Sequence, residues 1–165
     1  MDAYQAIITK RDTRHFTPEP IPDDVLTRVL QAGRMAGSSK NSQPVRMVVV
    51  RDPAAREALA ACGDYATPVT ECAAAVAVVL VPGGGSFDAG RAAQNLMVAA
   101  WSEGLTSCPI SMHRPECAAH TLGLPEGHSI AIVVALGHPD TKHPLSGGRQ
   151  RLPLDELIHW ERWSD

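Results

Sequence analysis

Several features that mark particular classes of protein are scarce in this chain of 165 residues. Aromatic side chains make up only 4% of it and the formal net charge is -3, so it lacks the basic face that nucleic-acid binding needs. The longest apolar run, residues 73–81, is about half as long as a membrane-spanning helix. The N-terminal residues lack the basic and apolar regions of a secretory signal peptide. The composition therefore predicts a cytoplasmic protein that binds neither nucleic acid nor membrane.

Cysteine is also sparse, and its positions follow no disulfide framework. The four residues are Cys62, Cys72, Cys108 and Cys117. In a chain without an export signal, such scattered residues favour reduced thiols. Residues 108–120 contain two cysteines and two histidines, but the irregular gaps between them differ from those of zinc sites. We therefore expect four reduced thiols and no bound metal.

Helix and strand patterns alternate along the chain. A helix that Asp23 or Asp24 would cap should end near Gly37, and a short terminal helix should begin at Asp155 and Glu156. Apolar periodicity predicts the other helices over residues 2–10, 53–62, 87–104 and 114–123. Continuous apolar runs predict strands over residues 45–50, 73–81, 105–112 and 128–137.

This alternation predicts an α/β or α+β class, with helices packed on a mixed sheet. No internal repeat or linker divides the chain, so we expect a single domain over residues 1–165. The helix over residues 87–104 is apolar nearly all round. Its own domain or a partner subunit should therefore enclose it.

Two pairs of arginines stand near the ends of the chain, Arg11 with Arg14 and Arg149 with Arg151. Each guanidinium is a planar, permanently charged donor, and together they could surround a dianionic phosphate. A loop between them along the chain adds neutral hydrogen-bonding side chains: Ser38, Ser39, Asn41 and Gln43. The arginines suit a phosphate, and the neutral side chains of the loop suit a polyol or the edge of a flat heterocycle. Flavin mononucleotide (FMN) has all three parts.

Other motifs are weaker. The glycines at residues 83–85 follow a strand, but they complete neither a dinucleotide-binding fingerprint nor a P-loop. No serine or cysteine stands in a recognisable hydrolase motif. The arginine motifs therefore carry the functional prediction.

These motifs resemble the nitroreductase family of FMN-dependent oxidoreductases. The resemblance covers nearly the whole chain, with R-x-x-R-x-F at residues 11–16, S-S-x-N-S-Q-P at 38–44, a long apolar helix within 92–108, L-G-L-P at 122–125, A-L-G-H-P at 135–139 and R-x-R-L-P at 149–153. It implies an α+β fold, α/β-like, with a mixed and mainly antiparallel sheet flanked by helices. It also implies a homodimer with two FMN sites at its interface. NADH or NADPH would reduce FMN, and a nitroaromatic, quinone or similar conjugated acceptor would then reoxidise it by a ping-pong mechanism.

The resemblance also implies which residues hold the flavin. The phosphate, ribityl chain and pyrimidine side would meet Arg11, Asp12, Thr13 and Arg14. The second subunit would contribute Gly37, Ser38, Ser39 and Asn41, and Gln43 in the same loop is a further candidate for cofactor binding. Backbone groups near flavin N5 and O4 would come from Pro109, Ile110 and Ser111. Arg149 and Arg151 would clamp the phosphate, and Arg14 would stabilise the anionic reduced ring. No side chain is expected to act as a catalytic group, because flavin N5 carries the chemistry.

Two departures from the family pattern leave alternatives open. Asp12 stands where many members have serine, and an aspartate in this motif also occurs in the flavin-fragmenting branch that forms dimethylbenzimidazole. Residues 82–86, P-G-G-G-S, replace a helical insertion that normally helps to cover the substrate pocket. The alternatives are therefore flavin fragmentation, a flavin-binding protein with little turnover, or an arginine-rich dimer that binds another phosphorylated ligand.

Overall fold

The computed structural model describes residues 1–143, 145 and 150–163 of the chain. The helices in this part of the chain are α1 (Ala3–Thr9), α2 (Asp23–Arg34), α3 (Pro53–Ala60), α4 (Thr67–Glu71), α5 (Ser86–Ser102), α6 (Pro115–Thr121) and α7 (Leu154–Leu157). The strands are β1 (Val45–Val50), β2 (Ala74–Leu80), β3 (Thr106–Ile110) and β4 (Ser129–Gly137). All the predicted elements are present. Helix α4 was missed, because five residues are too few to show a periodic pattern, and so was a single 3-10 turn at Ser39–Asn41.

The four strands form one sheet in the order β1-β2-β4-β3, and each neighbouring pair is antiparallel. The prediction of a mainly antiparallel sheet is confirmed. The strand β2 lies inside the sheet and every one of its residues is buried. Its side chains alternate between two apolar clusters, with Val76 and Val78 on one face and Ala77 and Val79 on the other. This burial on both faces explains its continuous apolar run.

Helices cover both faces of the sheet. Helices α2 and α5 pack together on one face, where Leu26, Val29 and Leu96 join the core. Gly33 allows this close approach, since a Cβ there would lie 2.7 Å from Leu96 Cδ2. On the other face, Leu59 of α3, Val69 of α4 and Ala118 of α6 form the second cluster.

One expectation about the helices needs correction. Neither Asp23 nor Asp24 caps α2 through its side chain, because the N-cap residue is Pro22. The two aspartates lie in the first turn and form ion pairs with Arg51 and Arg28 respectively. The chain itself does not cover helix α5 on all sides, since the apolar Phe87 and the polar Arg91, Gln94 and Asn95 are exposed. Its enclosure by a partner subunit stays a prediction.

The expectation of four reduced thiols is wrong for two of the cysteines. A disulfide joins Cys62, just after α3, to Cys117 in α6, with their Cα atoms 5.6 Å apart. The pairing spans 55 residues, which is why no local spacing indicated it. Cys72 and Cys108 are buried free thiols. Burial raises the pKa of the Cys72 thiol to about 11, so it is protonated near neutral pH.

Within the described residues, no helix is long and apolar enough to cross a membrane.

Candidate flavin site

The site is built along the outer edge of β3. The segment Lys10–Arg14 runs beside this strand, where Asp12 forms a parallel bridge with Ser107 and the Thr13 N–H donates to the Ser107 carbonyl at 3.1 Å. The side chain of Thr13 is buried, and its hydroxyl bonds the backbone of His15. Thr13 therefore holds the segment in place through contacts within the chain.

A second contact fixes the far end of this segment. The ring of Phe16 is buried and its backbone bridges Pro139, just after β4. A Cβ at Gly137 would lie 2.8 Å from the Phe16 ring, so glycine is needed for this approach. Phe16 in the R-x-x-R-x-F motif therefore acts as an anchor for the arginines before it.

Lys10 lies in the same segment as the predicted site residues, and the sequence analysis did not name it as a candidate. Its side chain is only 11% exposed, and its ammonium pairs with the Asp12 carboxylate and lies 3.5 Å from Met97 Sδ. A lysine this buried is stable only beside compensating groups. Its position directly before the arginine motif was the available signal, but an ordinary surface lysine would look the same in sequence.

The cations beside β3 differ in how they are held. The Arg11 guanidinium donates to the carbonyls of Ile8 and Lys10, at 3.2 and 2.9 Å, and so covers the end of α1. Arg14 is exposed. Burial raises the pKa of the Cys108 thiol on β3, while the positive charges of Arg14 and Lys10 act in the opposite sense. These two cations are therefore close enough to the strand for their charges to reach it.

The residues that follow on β3 alternate in exposure. Pro109 and Ser111 are exposed, whereas the side chain of Ile110 is buried in the core. Ile110 could contribute only backbone groups, which is the role that the resemblance implies for it. The structure thus brings residues 10–14 and 109–111 together at one edge of the sheet.

The predicted second-subunit loop lies elsewhere. Residues 37–43 precede β1, the opposite edge of the sheet from β3. Three interstrand spacings separate the two edges, roughly 14 Å. In one chain, therefore, the two halves of the predicted site lie at opposite edges of the sheet.

This loop has an unusual backbone. Lys40, Asn41 and Gln43 all have positive φ, at 52°, 54° and 48°. Ser38 Oγ accepts a hydrogen bond from the Gln43 N–H at 2.8 Å and closes the loop. Left-handed conformations at non-glycine residues cost energy and are concentrated at functional sites. The loop presents a set of exposed groups: Gly37, Ser39, Asn41 and Gln43.

The proposed phosphate clamp can be placed only in part. Arg149 lies outside the described residues, and Arg151 is exposed on the segment before α7. The chain beyond β4 does return to the site, because the His143 ring stacks on His15 with centroids 4.0 Å apart. The Asp140 N–H also donates to the His15 carbonyl at 3.2 Å. The segment after β4, as far as His143, therefore packs against His15, the residue that follows Arg14.

The four potential zinc ligands of residues 108–120 are not gathered into a site. In the described part of the chain, no three His, Cys, Asp or Glu side chains are placed to hold a metal ion.

Comparison with known proteins identifies the family. The model of the Nitroreductase family matches residues 7–76 and 84–138, and the interruption covers the end of β2 and the first residues of the connection to α5. The NADPH-flavin oxidoreductase of Vibrio harveyi is 30% identical over 99% of this chain and 75% of its own length. A protein of Desulfovibrio desulfuricans solved in complex with FMN is 29% identical, with a TM-score of 0.86, and the match covers 99% of each chain. The 5,6-dimethylbenzimidazole synthase of Rhodospirillum rubrum is 45% identical, but over only 28% of this chain and 22% of its own. The chain belongs to the nitroreductase family.

Proposed function

We propose that this protein works as a homodimer that passes hydride from NADH or NADPH, through FMN, to a small conjugated acceptor such as a nitroaromatic or quinone. The broader activity, FMN-dependent oxidation of NAD(P)H, follows from family membership and from the flavin oxidoreductase among its relatives. The acceptor class, the ping-pong order and the dimer are parts of the proposal. We also place this reaction in the cytoplasm, where the reduced nicotinamide cofactors are available.

One observation carries the proposal: the two halves of the predicted site lie at opposite edges of the same sheet. A second copy would bring its residues 37–43 to the Lys10–Arg14 segment of the first. The strained loop would then supply neutral donors and acceptors to a ligand held by cations of the other chain. This arrangement predicts two equivalent sites in a symmetric dimer.

The donor set at β3 fits FMN. A phosphate monoester carries roughly -1.5 to -2 charges near neutral pH, and Lys10, Arg11 and Arg14 stand within one short segment. When bound, FMN supplies hydride transfer at N5. Arg14 would lie at the pyrimidine side and stabilise negative charge there. Backbone groups of Pro109–Ser111 would orient the ring edge that carries N5 and O4.

The surface of the single chain also favours a dimer. Helix α1 exposes Tyr4, Ile7 and Ile8, at 69%, 59% and 46%. The C-terminal segment exposes a further set of large apolar side chains: Leu152, Leu154, Leu157, Ile158, Trp160 and Trp163. A soluble monomer rarely leaves this much apolar surface uncovered. A second copy of the chain is the occupant that the two-edged site requires.

The acceptor pocket should be open. Strand β2 ends at Leu80 and α5 begins at Ser86, so a short turn takes the place of any covering helix. An open pocket would exclude few acceptors by shape. We therefore expect activity with several planar quinones and nitroaromatics rather than with one.

The flavin content and turnover of the purified protein test the proposal. We expect a yellow dimer, reduction of its flavin by NADPH under anaerobic conditions, and reoxidation by a quinone. Steady-state rates at varied NADPH and quinone should give parallel double-reciprocal lines. A protein that binds FMN but is not turned over by any of these acceptors would instead be a flavin-binding protein with little turnover.

A second candidate is flavin fragmentation. Two observations favour it: Asp12 brings a carboxylate to the candidate site, and a part of the chain is similar to the Rhodospirillum rubrum synthase. Reduced FMN would be incubated with the protein and oxygen, and dimethylbenzimidazole would be sought by mass spectrometry. Its formation, and its loss in Asp12→Ser, would replace the acceptor-reduction proposal.

A further inference from the structure

A histidine stands just beyond the strand end that we place near flavin N5. His113 follows Ser111 and Met112 on the segment between β3 and α6, and it is exposed. The N–H of Asp64 donates to its Nδ1 at 3.1 Å. Since Nδ1 accepts this bond, the ring hydrogen is on Nε2. His113 therefore offers one N–H donor on the side of the ring away from Asp64.

The ring is also held from a second direction. The Tyr65 ring meets it edge-on, with centroids 5.6 Å apart and an angle of 70° between planes. Tyr65 is 80% exposed, so the aromatic pair forms a surface beside Ser111 rather than part of the core. The charged groups nearest this pair are the Asp64 carboxylate and the Arg114 guanidinium, which bind each other at 2.6 Å.

The segment of His113 and the loop of Asp64 are fastened together. Arg114 donates from its backbone N–H to the Cys62 carbonyl at 2.9 Å and from Nη2 to the Ala61 carbonyl at 2.7 Å. The disulfide between Cys62 and Cys117 adds a covalent link. A Cβ at Gly63 would lie 3.4 Å from the Ser111 carbonyl, so the two segments are in contact. Their relative position is therefore set by the fold before any ligand binds.

We propose that His113 donates a hydrogen bond from Nε2 to the oxygen of the electron acceptor, and so recognises acceptors that carry a conjugated carbonyl or nitro group. The inference rests on the proposed function, because Ser111 must lie beside flavin N5. Reduction of a quinone transfers two electrons and one proton as hydride, and the acceptor oxygen becomes negatively charged. A positioned neutral donor stabilises this charge as it develops. Water donates the second proton and becomes hydroxide, which leaves a hydroquinone and an unchanged imidazole.

The role of Tyr65 follows from its position. Its ring limits rotation of the imidazole and offers an aromatic edge to a planar acceptor. Tyr65 is therefore a positioning residue, and Tyr65→Leu should raise the KM for a quinone more than it lowers kcat. Substitution of either residue should leave unchanged the rate of flavin reoxidation by an acceptor without a hydrogen-bonding oxygen, such as ferricyanide.

The test uses the FMN-loaded protein and two acceptors. His113→Phe keeps an aromatic ring without a donor, His113→Gln restores an N–H, and His120→Phe changes a second exposed histidine, on α6, as the matched control. After anaerobic reduction with NADPH or dithionite, reoxidation by 1,4-benzoquinone and by ferricyanide is followed by stopped flow. We expect His113→Phe to slow reoxidation by benzoquinone at least tenfold and to leave reoxidation by ferricyanide unchanged. His113→Gln should recover part of the benzoquinone rate, and His120→Phe should have no effect on either rate.

Binding supplies a readout that does not depend on turnover. Hydroquinone is titrated into each oxidised variant, and its Kd is read from the flavin spectrum. We expect a Kd about tenfold higher in His113→Phe, the size of one lost hydrogen bond. The melting temperature and the Kd for FMN must match those of the wild type. If they do not in His113→Phe, His113→Ala takes its place.

Each other outcome overturns the inference. Equal losses with benzoquinone and ferricyanide would show a general effect on the flavin, and unchanged benzoquinone rates would show that His113 does not meet the acceptor. An equal loss in His120→Phe would also refute it. Failure of the proposed function is seen separately. A wild-type protein that binds no FMN refutes both the proposed function and the role of His113. If the protein binds FMN but NADPH does not reduce it, the role of His113 is tested after reduction with dithionite.

Discussion

Lys10→Met should weaken the binding of FMN and leave the binding of riboflavin almost unchanged. The side chain of Lys10 is only 11% exposed, and the observed partners of its ammonium are Asp12 and Met97. In this position solvent screens the charge less than on an open surface. A phosphate beside the same edge of β3 would therefore gain a strong charge-assisted hydrogen bond.

The size of the effect follows from that bond. Hydrogen bonds to charged groups contribute about 1.5–3 kcal/mol, which corresponds to roughly 10- to 150-fold in Kd. Because Lys10 is shared with Asp12, we expect the lower part of this range, roughly 10- to 50-fold. Methionine keeps most of the length and apolar contact of the side chain, so the loss reports the charge.

The assay is a fluorescence titration of the flavin-free protein with FMN and with riboflavin. Lys142→Met removes an exposed lysine and controls for net charge. Lys10→Arg should retain most of the affinity for FMN. If Lys10→Met weakens the binding of FMN and of riboflavin equally, Lys10 serves only to hold Asp12, and the reasoning that puts a phosphate beside Lys10 is refuted.

Other predictions concern the clamp, the dimer and stability. Arg149→Ala or Arg151→Ala should weaken FMN by about one to two decades, with little change for riboflavin, and equal losses for both ligands would mean that there is no clamp. Dilution below the dimer dissociation constant should release FMN, and added FMN should raise the melting temperature, whereas a monomer with stoichiometric flavin in sedimentation analysis would contradict the shared site. Cys117→Ser removes a cross-link between residues 55 apart and should cost about 4 kcal/mol in the chain-entropy model, measured by urea unfolding against the oxidised wild type. Arg28 lowers the pKa of Glu103, so this pair contributes stability above the pKa of unfolded glutamate, about 4.3. The difference in melting temperature between Arg28→Ala and the wild type should therefore shrink as pH falls through the lower folded pKa, and a constant difference would show that the pair is not the cause.

The elements of the fold could be predicted from the sequence because their patterns are local. The apolar run of β2 is continuous since both of its faces are covered, and its bounds were predicted to within one residue at each end. The short helix α4 was missed for the opposite reason: its five residues are too few to repeat a pattern. The expected capping by Asp23 or Asp24 also failed, because Pro22 is the N-cap residue of α2. The two carboxylates pair instead with Arg51, distant in sequence, and with Arg28, one turn further on.

The sequence by itself determined the strands, the long helices and the arginine, serine and asparagine motifs from which the family and its flavin chemistry were predicted. Only the tertiary structure decided which of these residues meet. It paired Lys10 with Asp12, joined Cys62 to Cys117, and set residues 37–43 at the opposite edge of the sheet from residues 10–14. The physical reason is that periodicity and composition describe the surroundings of each residue along the chain. Ion pairs, cross-links and shared sites depend instead on how distant segments pack.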